Sequence, residues 1–202
     1  MDWYEEDVRA AEAERTRCPY EPKTIFYGSS SIRLWTELYE DFKDYKPVNL
    51  GFGGSTLAAC VWFFDRIAAP VGTAEKFILY AGDNDLGDGR HPAEVLFFFR
   101  EFVIKFRSRF PEIPLFFISI KPSLSRMEIM HQIQETNQLI NEEIANGSGN
   151  EHFINIFNRM LGKDGKPDPA FFEEDGLHLN RNGYAMWREV VLNECLLVEK
   201  LH

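Results

Sequence analysis

Along the 202-residue chain, short runs of apolar, β-branched and aromatic residues alternate with longer stretches in which apolar positions recur every three or four residues. The first kind predicts buried strands, the second amphipathic helices. From Asp2 to about Arg17 the pattern predicts a short helix, with Asp2 and Glu5 spaced as a capping box. "TIFY" at 24 to 27 predicts a strand, after which Ile32, Leu34, Trp35, Leu38 and Phe42 fall at near-helical spacing. The alternation then repeats. "PVNL" predicts a strand, 56 to 69 a helix, "KFILY" at 76 to 80 a strand, and 93 to 109 a helix opened by Pro92. "PLFFISI" at 114 to 120 predicts a strand, Ser125 to Ala145 a helix, "HFINIF" a strand, and Asn182 to Glu199 a last helix.

Parallel strands need crossover connections, and right-handed crossovers return over the sheet. Five apolar strands alternating with helices therefore predict an α/β fold: a three-layer α/β/α sandwich on a five-stranded parallel sheet, flavodoxin-like in outline. The length predicts a single domain over residues 1–202. No internal repeat or linker is evident, and "NGSGN" at 146 to 150 reads as a turn. Ligands of such sheets sit outside the carboxyl ends of the strands, which directs attention to 28–31, 49–56, 81–91, 121–126 and 157–178.

Composition narrows the partners. With 45% apolar, 14% aromatic and 27% charged residues the chain has the make-up of a soluble globular protein. A formal net charge of −10 without a visible cationic face argues against nucleic acid and anionic membranes. The N-terminus lacks a signal-type apolar core, and no apolar run approaches the ~18 residues of a membrane span. Cys18, Cys60 and Cys195 are odd in number and far apart, which speaks against a disulfide framework or a zinc cluster. A cytoplasmic protein without membrane insertion is the expectation.

The segments after the strands carry the candidate chemistry. Gly28 is followed by Ser29, Ser30 and Ser31 at the start of the next helical pattern. A serine there either caps the helix or presents a hydroxyl where helix N–H groups can meet a developing anion. A nucleophilic serine needs a base, and the base an orienting carboxylate. Asp175 and His178 lie three apart in "EDGLHLN", and Asp88 and His91 repeat the spacing, although Pro92 marks His91 as a helix cap. His131 falls in a predicted helix, His152 opens a strand, and His202 is the terminal residue. Donors for an oxyanion are offered by the glycines of "NLGFGGST" and by Asn84 in "AGDNDLGDG", segments that otherwise read as a flexible turn and a solvated acidic loop. "DNDLGDGRHPAE" departs from a calcium loop, with Gly87 and Asp88 at its fifth and sixth positions and Pro92 within it. The P-loop and dinucleotide-binding glycine patterns are also missing.

Taken together, "FYGSSSI", "NLGFGGST", "GDND" and "DGLHLN", in that order and each after a strand, resemble the blocks of the SGNH hydrolases, also called the GDSL esterase/lipase family. The resemblance spans residues 25 to 183. It implies Ser30 as nucleophile, two residues after Gly28 as in Gly-Asp-Ser, with Asp175 as orienter and His178 as base. It further implies an oxyanion hole from Ser30, Gly54 and Asn84. Ser29 stands where the family usually has Asp, and Asp83 where the third block has its second glycine.

The resemblance implies a two-step acyl transfer on a small-molecule ester, with no metal or organic cofactor. The compact length, without an evident long lid, suggests a short acyl group, acetyl first, on a carbohydrate or lipid-like alcohol. Phe171, Phe172, Lys121 and Arg126 are candidate substrate contacts, although core burial is the readier explanation for the phenylalanines and a solvated rim for the two cations. The competing expectations are an acyltransferase and a non-catalytic α/β binding module.

Overall fold

The computed structural model describes residues 2–147 and 149–199, so His202 lies outside the described residues. A 3-10 turn, Asp2–Tyr4, leads into α1 (Glu5–Arg17). Tyr4 rather than Asp2 holds the cap position, without a side-chain bond, so the expected capping box does not form. Tyr4 is instead drawn inward, its ring packing on Phe52 and Phe63 at 5.7 and 6.1 Å.

The sheet strands are β1 (Thr24–Gly28), β2 (Pro47–Gly51), β3 (Lys76–Tyr80), β4 (Leu115–Ile118) and β5 (Glu151–Ile154). All pair in parallel, in the order β2-β1-β3-β4-β5. Between β1 and β2 run α2 (Ser30–Arg33) and α3 (Leu38–Asp41); α4 (Leu57–Ile67) follows β2. After β3 come α5 (Asp83–Gly87) and α6 (Pro92–Arg109), after β4 comes α7 (Met130–Asn146), and α8 (Arg181–Glu199) closes the described chain.

Successive side chains of a strand face opposite sides of a sheet, and here both sides are covered. Ile25, Tyr27, Phe77, Leu79, Leu115 and Phe117 pack against α1, α4, α6 and α7. Phe26, Ile78, Tyr80, Phe116 and Ile118 pack against α2, α3 and α8. These are the three layers of an α/β/α sandwich, with a core on each side of the sheet. Each fully buried phenylalanine contributes about 1.5–3 kcal/mol relative to exposure.

Four elements differ from the sequence pattern, each for a local reason. The helix expected over 32 to 42 splits into α2 and α3, because Trp35 turns into the core beside Phe26 and its Nε1 donates to Asp41 Oδ2 at 2.8 Å. The helix expected from Ser125 begins only at Met130, after a 3-10 segment, Leu124–Ile129, broken at Arg126 by φ −123° and ψ 28°. The last strand stops at Ile154, where Asn155 Oδ1 accepts the Phe157 N–H at 3.1 Å and turns the chain. The segment "DNDLG" is a helix, α5, rather than a solvated loop, and Asp83 and Asp85 are buried in it.

Candidate active site

At the end of β1 the chain must leave the sheet within one residue. Gly28 does so at φ +135°, and a Cβ there would stand 1.8 Å from the Tyr80 carbonyl oxygen of β3, so no other residue fits. The next N–H, of Ser29, donates to that same carbonyl at 2.9 Å, and α2 starts at Ser30. Of the three serines, Ser29 and Ser31 are buried, at 0% and 1% exposure, whereas Ser30 is partly exposed. As the first residue of α2, Ser30 has a backbone N–H with no intrahelical acceptor.

His178 comes to Ser30 from 148 positions away, its Nε2 3.2 Å from Ser30 Oγ. Its Nδ1 lies 2.6 Å from Asp175 Oδ2. The other carboxylate oxygen of Asp175 accepts the backbone N–H groups of Leu177 and His178 at 2.8 and 2.9 Å. The Leu177 N–H, with those of His178 and its imidazole, holds the Asp175 carboxyl down to about 2. An ionised carboxylate only accepts, so Nδ1 carries the imidazole proton and Nε2 is left to accept from the Ser30 hydroxyl. The loop is fixed from behind: the Glu173 N–H donates to the His178 carbonyl at 2.8 Å, and Tyr184 of α8 donates to the Ser31 carbonyl at 3.0 Å.

The loops after β2 and β3 carry the other two candidates. Gly54 is exposed at φ +66°, with nothing within 4 Å of where a Cβ would be, and Tyr4 donates its hydroxyl to the Gly54 carbonyl at 3.1 Å. Asn84 donates from Nδ2 to the Ser55 carbonyl at 3.0 Å, leaving its second amide hydrogen free, while its Oδ1 accepts from Arg126 Nη2 at 3.0 Å. The two acids beside Asn84 face inward. Asp83 pairs with Lys121 at 2.9 Å; burial pushes its carboxyl up, but the Lys121 and Arg126 charges outweigh this and leave it lowered. Asp85 accepts the Leu57 N–H at the start of α4 and pairs with Arg90 at 3.1 Å, yet burial pushes it up to about 6.

The remaining candidates lie apart from Ser30. His91 is the N-cap of α6, its N–H donating to Glu94 at 2.8 Å. His131 is exposed on α7, and His152 stacks on Phe116. Lys121 is 1% exposed, which corrects its placement on a solvated rim: its Nζ is held by Asp83 and by the Tyr80 hydroxyl at 3.3 Å. Phe172 is buried in the core under α8 and Phe171 is half-buried against it; their carbonyls accept from Asn180 and frame the His178 loop. The contacts of Tyr4, Asp85 and Arg126 with the cluster have no local signature, because each joins segments dozens of residues apart.

A cavity of about 330 Å³ opens beside His178, with Thr36, Glu37, Glu173 and Arg181 among its lining. A larger one, about 410 Å³, lies between α6 and α7 and holds none of the residues above; the charged side chains of its wall are spent on one another, Arg100 with Glu143 at 2.6 Å and Arg107 with Glu151 at 2.6 Å. Among the described residues no group of three or more His, Cys, Asp or Glu side chains could hold a metal ion. Asp175, His178 and Ser30 thus present a hydroxyl with a base behind it and, at the start of α2, a backbone N–H beside it.

The chain belongs to the GDSL-like lipase/acylhydrolase family, whose model matches residues 23–186, and so to the hydrolases that act on ester bonds. The fold recurs in a Streptococcus pneumonia protein provisionally described as a platelet activating factor, 21% identical, with a TM-score of 0.83 over 96% of this chain and 94% of that one. A GDSL-like lipase of Bacteroides thetaiotaomicron is 18% identical, with a TM-score of 0.74 over 98% of both chains. A carbohydrate esterase of family 3 from Talaromyces cellulolyticus is 14% identical, with a TM-score of 0.64 over 90% of this chain and 99% of that one. No curated protein matches the chain.

Proposed function

We propose that the protein is a serine esterase that removes a short acyl group, acetyl first, from a hydroxylated small molecule. The observation that carries this reading is the chain of contacts Asp175–His178–Ser30, at 2.6 and 3.2 Å. His178 takes the Ser30 proton as Oγ attacks the ester carbonyl. The oxyanion is met by the N–H groups of Ser30 and Gly54 and by the free amide hydrogen of Asn84. His178 then protonates the leaving alcohol, and water repeats the sequence to release the acid. Asp175 holds the imidazole in the required tautomer and faces the positive charge it acquires.

In the cavity beside His178, Thr36, Glu37, Asn180 and Arg181 offer hydrogen-bond partners to a hydroxylated alcohol, beside the apolar walls of Leu34 and Leu179. Cys18, Cys60 and Cys195 form no disulfide with one another, in keeping with a reducing, cytoplasmic setting. Hydrolysis of p-nitrophenyl acetate by wild type, Ser30→Ala and His178→Ala tests the reading. The expected outcome is turnover that falls about 1,000-fold or more in both variants, each folded as the wild type. Equal low rates in all three would mean a binding module instead. Best turnover on p-nitrophenyl esters of C8 or longer would overturn the short acyl group.

A further inference from the structure

Asn84 has a side chain whose terminal torsion is soft, and nothing in an amide itself decides which end faces the substrate. Here both ends are dictated by partners of opposite kind. The guanidinium of Arg126 can only donate, so it takes Oδ1, at 3.0 Å; the Ser55 carbonyl can only accept, so it takes one hydrogen of Nδ2, at 3.0 Å. The second hydrogen of Nδ2 is then aimed by exclusion. A cation on the carbonyl end also draws electron density from the amide and strengthens the N–H at the other end as a donor.

Arg126 is itself held by arrangements with no other evident purpose. It sits at the break in the Leu124–Ile129 segment, where the chain abandons the helix its sequence pattern predicts. Its guanidinium lies over Gly87 of α5, where a Cβ would come within 2.3 Å of Nη1 and 2.6 Å of Cζ. Nη1 is buried without a partner, a cost offset by the negative charge of Asp83. The same segment reaches the base: Ser125 donates its N–H to the Gly176 carbonyl at 3.1 Å, and Leu124 packs against Gly176, next to Asp175. Asp83, where the family pattern has glycine, therefore accompanies two cations from beyond β4, Lys121 and Arg126.

We propose that Arg126 is a positioning residue that sets the orientation and donor strength of Asn84, with Gly87 as the floor that admits it. The proposal rests on the esterase reading and replaces a direct role for Arg126 in binding substrate. Arg126→Lys keeps the charge but not the fork that reaches Oδ1. Gly87→Ala leaves Arg126 in the sequence but displaces its end, a shift a flexible side chain can make without unfolding the protein.

The experiment is a double-mutant cycle on p-nitrophenyl acetate, with Ser30→Ala as the blank and thermal unfolding as the check on folding. Arg126→Lys and Gly87→Ala should each lower kcat/KM by about 10- to 100-fold, part of the loss expected for removing an oxyanion donor. In an Asn84→Ala background neither should change it by more than about twofold, because the group they act through is gone. Losses of the same size with and without Asn84, or no loss in either variant, overturn the proposal. Should Arg126→Lys fail to fold, Gly87→Ala decides alone. A wild type without Ser30-dependent turnover overturns the esterase reading and this proposal with it, an outcome distinct from an active enzyme indifferent to Arg126.

Discussion

Asp175 serves two partners with two oxygens. Oδ1 holds the backbone N–H groups of Leu177 and His178, which shapes the loop, while Oδ2 faces the imidazole. These roles can be separated. Asp175→Asn keeps an oxygen for the backbone donors, so the loop should hold, but presents an amide N–H to Nδ1 and favours the wrong tautomer. The expected result is a kcat lower by about 100- to 10,000-fold with a nearly unchanged unfolding temperature. A variant as active as the wild type would remove Asp175 from the mechanism. The same scale explains what could be read in advance. Gly28 and the histidine of "DGLHLN" announce themselves by type and spacing, whereas the choice among Ser29, Ser30 and Ser31 from geometry alone needs the observation that two of them are buried.

Strands were the most legible elements because a fully covered parallel sheet writes itself as unbroken apolar runs such as "TIFY" and "KFILY". The helix α5 was not, since "DNDLG" reads as a solvated loop until Lys121 arrives from beyond β4 to pair with Asp83. Local periodicity carries no record of such partners, nor of Arg126 leaving the helical pattern to reach Asn84. The junction of β1 and β3 is the most demanding contact between elements: Gly28→Ala combines an unfavourable φ with a Cβ 1.8 Å from a carbonyl oxygen. It should cost about 3 kcal/mol or more in denaturant unfolding. An unchanged midpoint would mean that the two strands can separate freely.

For the molecule as a whole, two acids with opposite shifts, Asp85 and Asp175, bear on how stability follows pH. Asp85 keeps its proton to about 6 in the fold against 3.8 as a free group, so its contribution is fully present below pH 3.8 and is lost as pH rises through 6. Asp175 works the other way, its contribution present above pH 3.8 and lost as pH falls towards 2, but its side chain is 49% exposed and solvent screens the effect. Asp85→Asn, whose amide oxygen can still accept the Leu57 N–H, should therefore flatten the fall in stability between about pH 4 and 6 in chemical denaturation. A slope identical to wild type would place the titration elsewhere. The hydroxyl of Tyr4 on the Gly54 carbonyl carries a practical consequence at this scale. An affinity tag fused ahead of Asp2 is tethered two residues from a contact on the Gly54 loop, so kinetic constants are best compared before and after its removal.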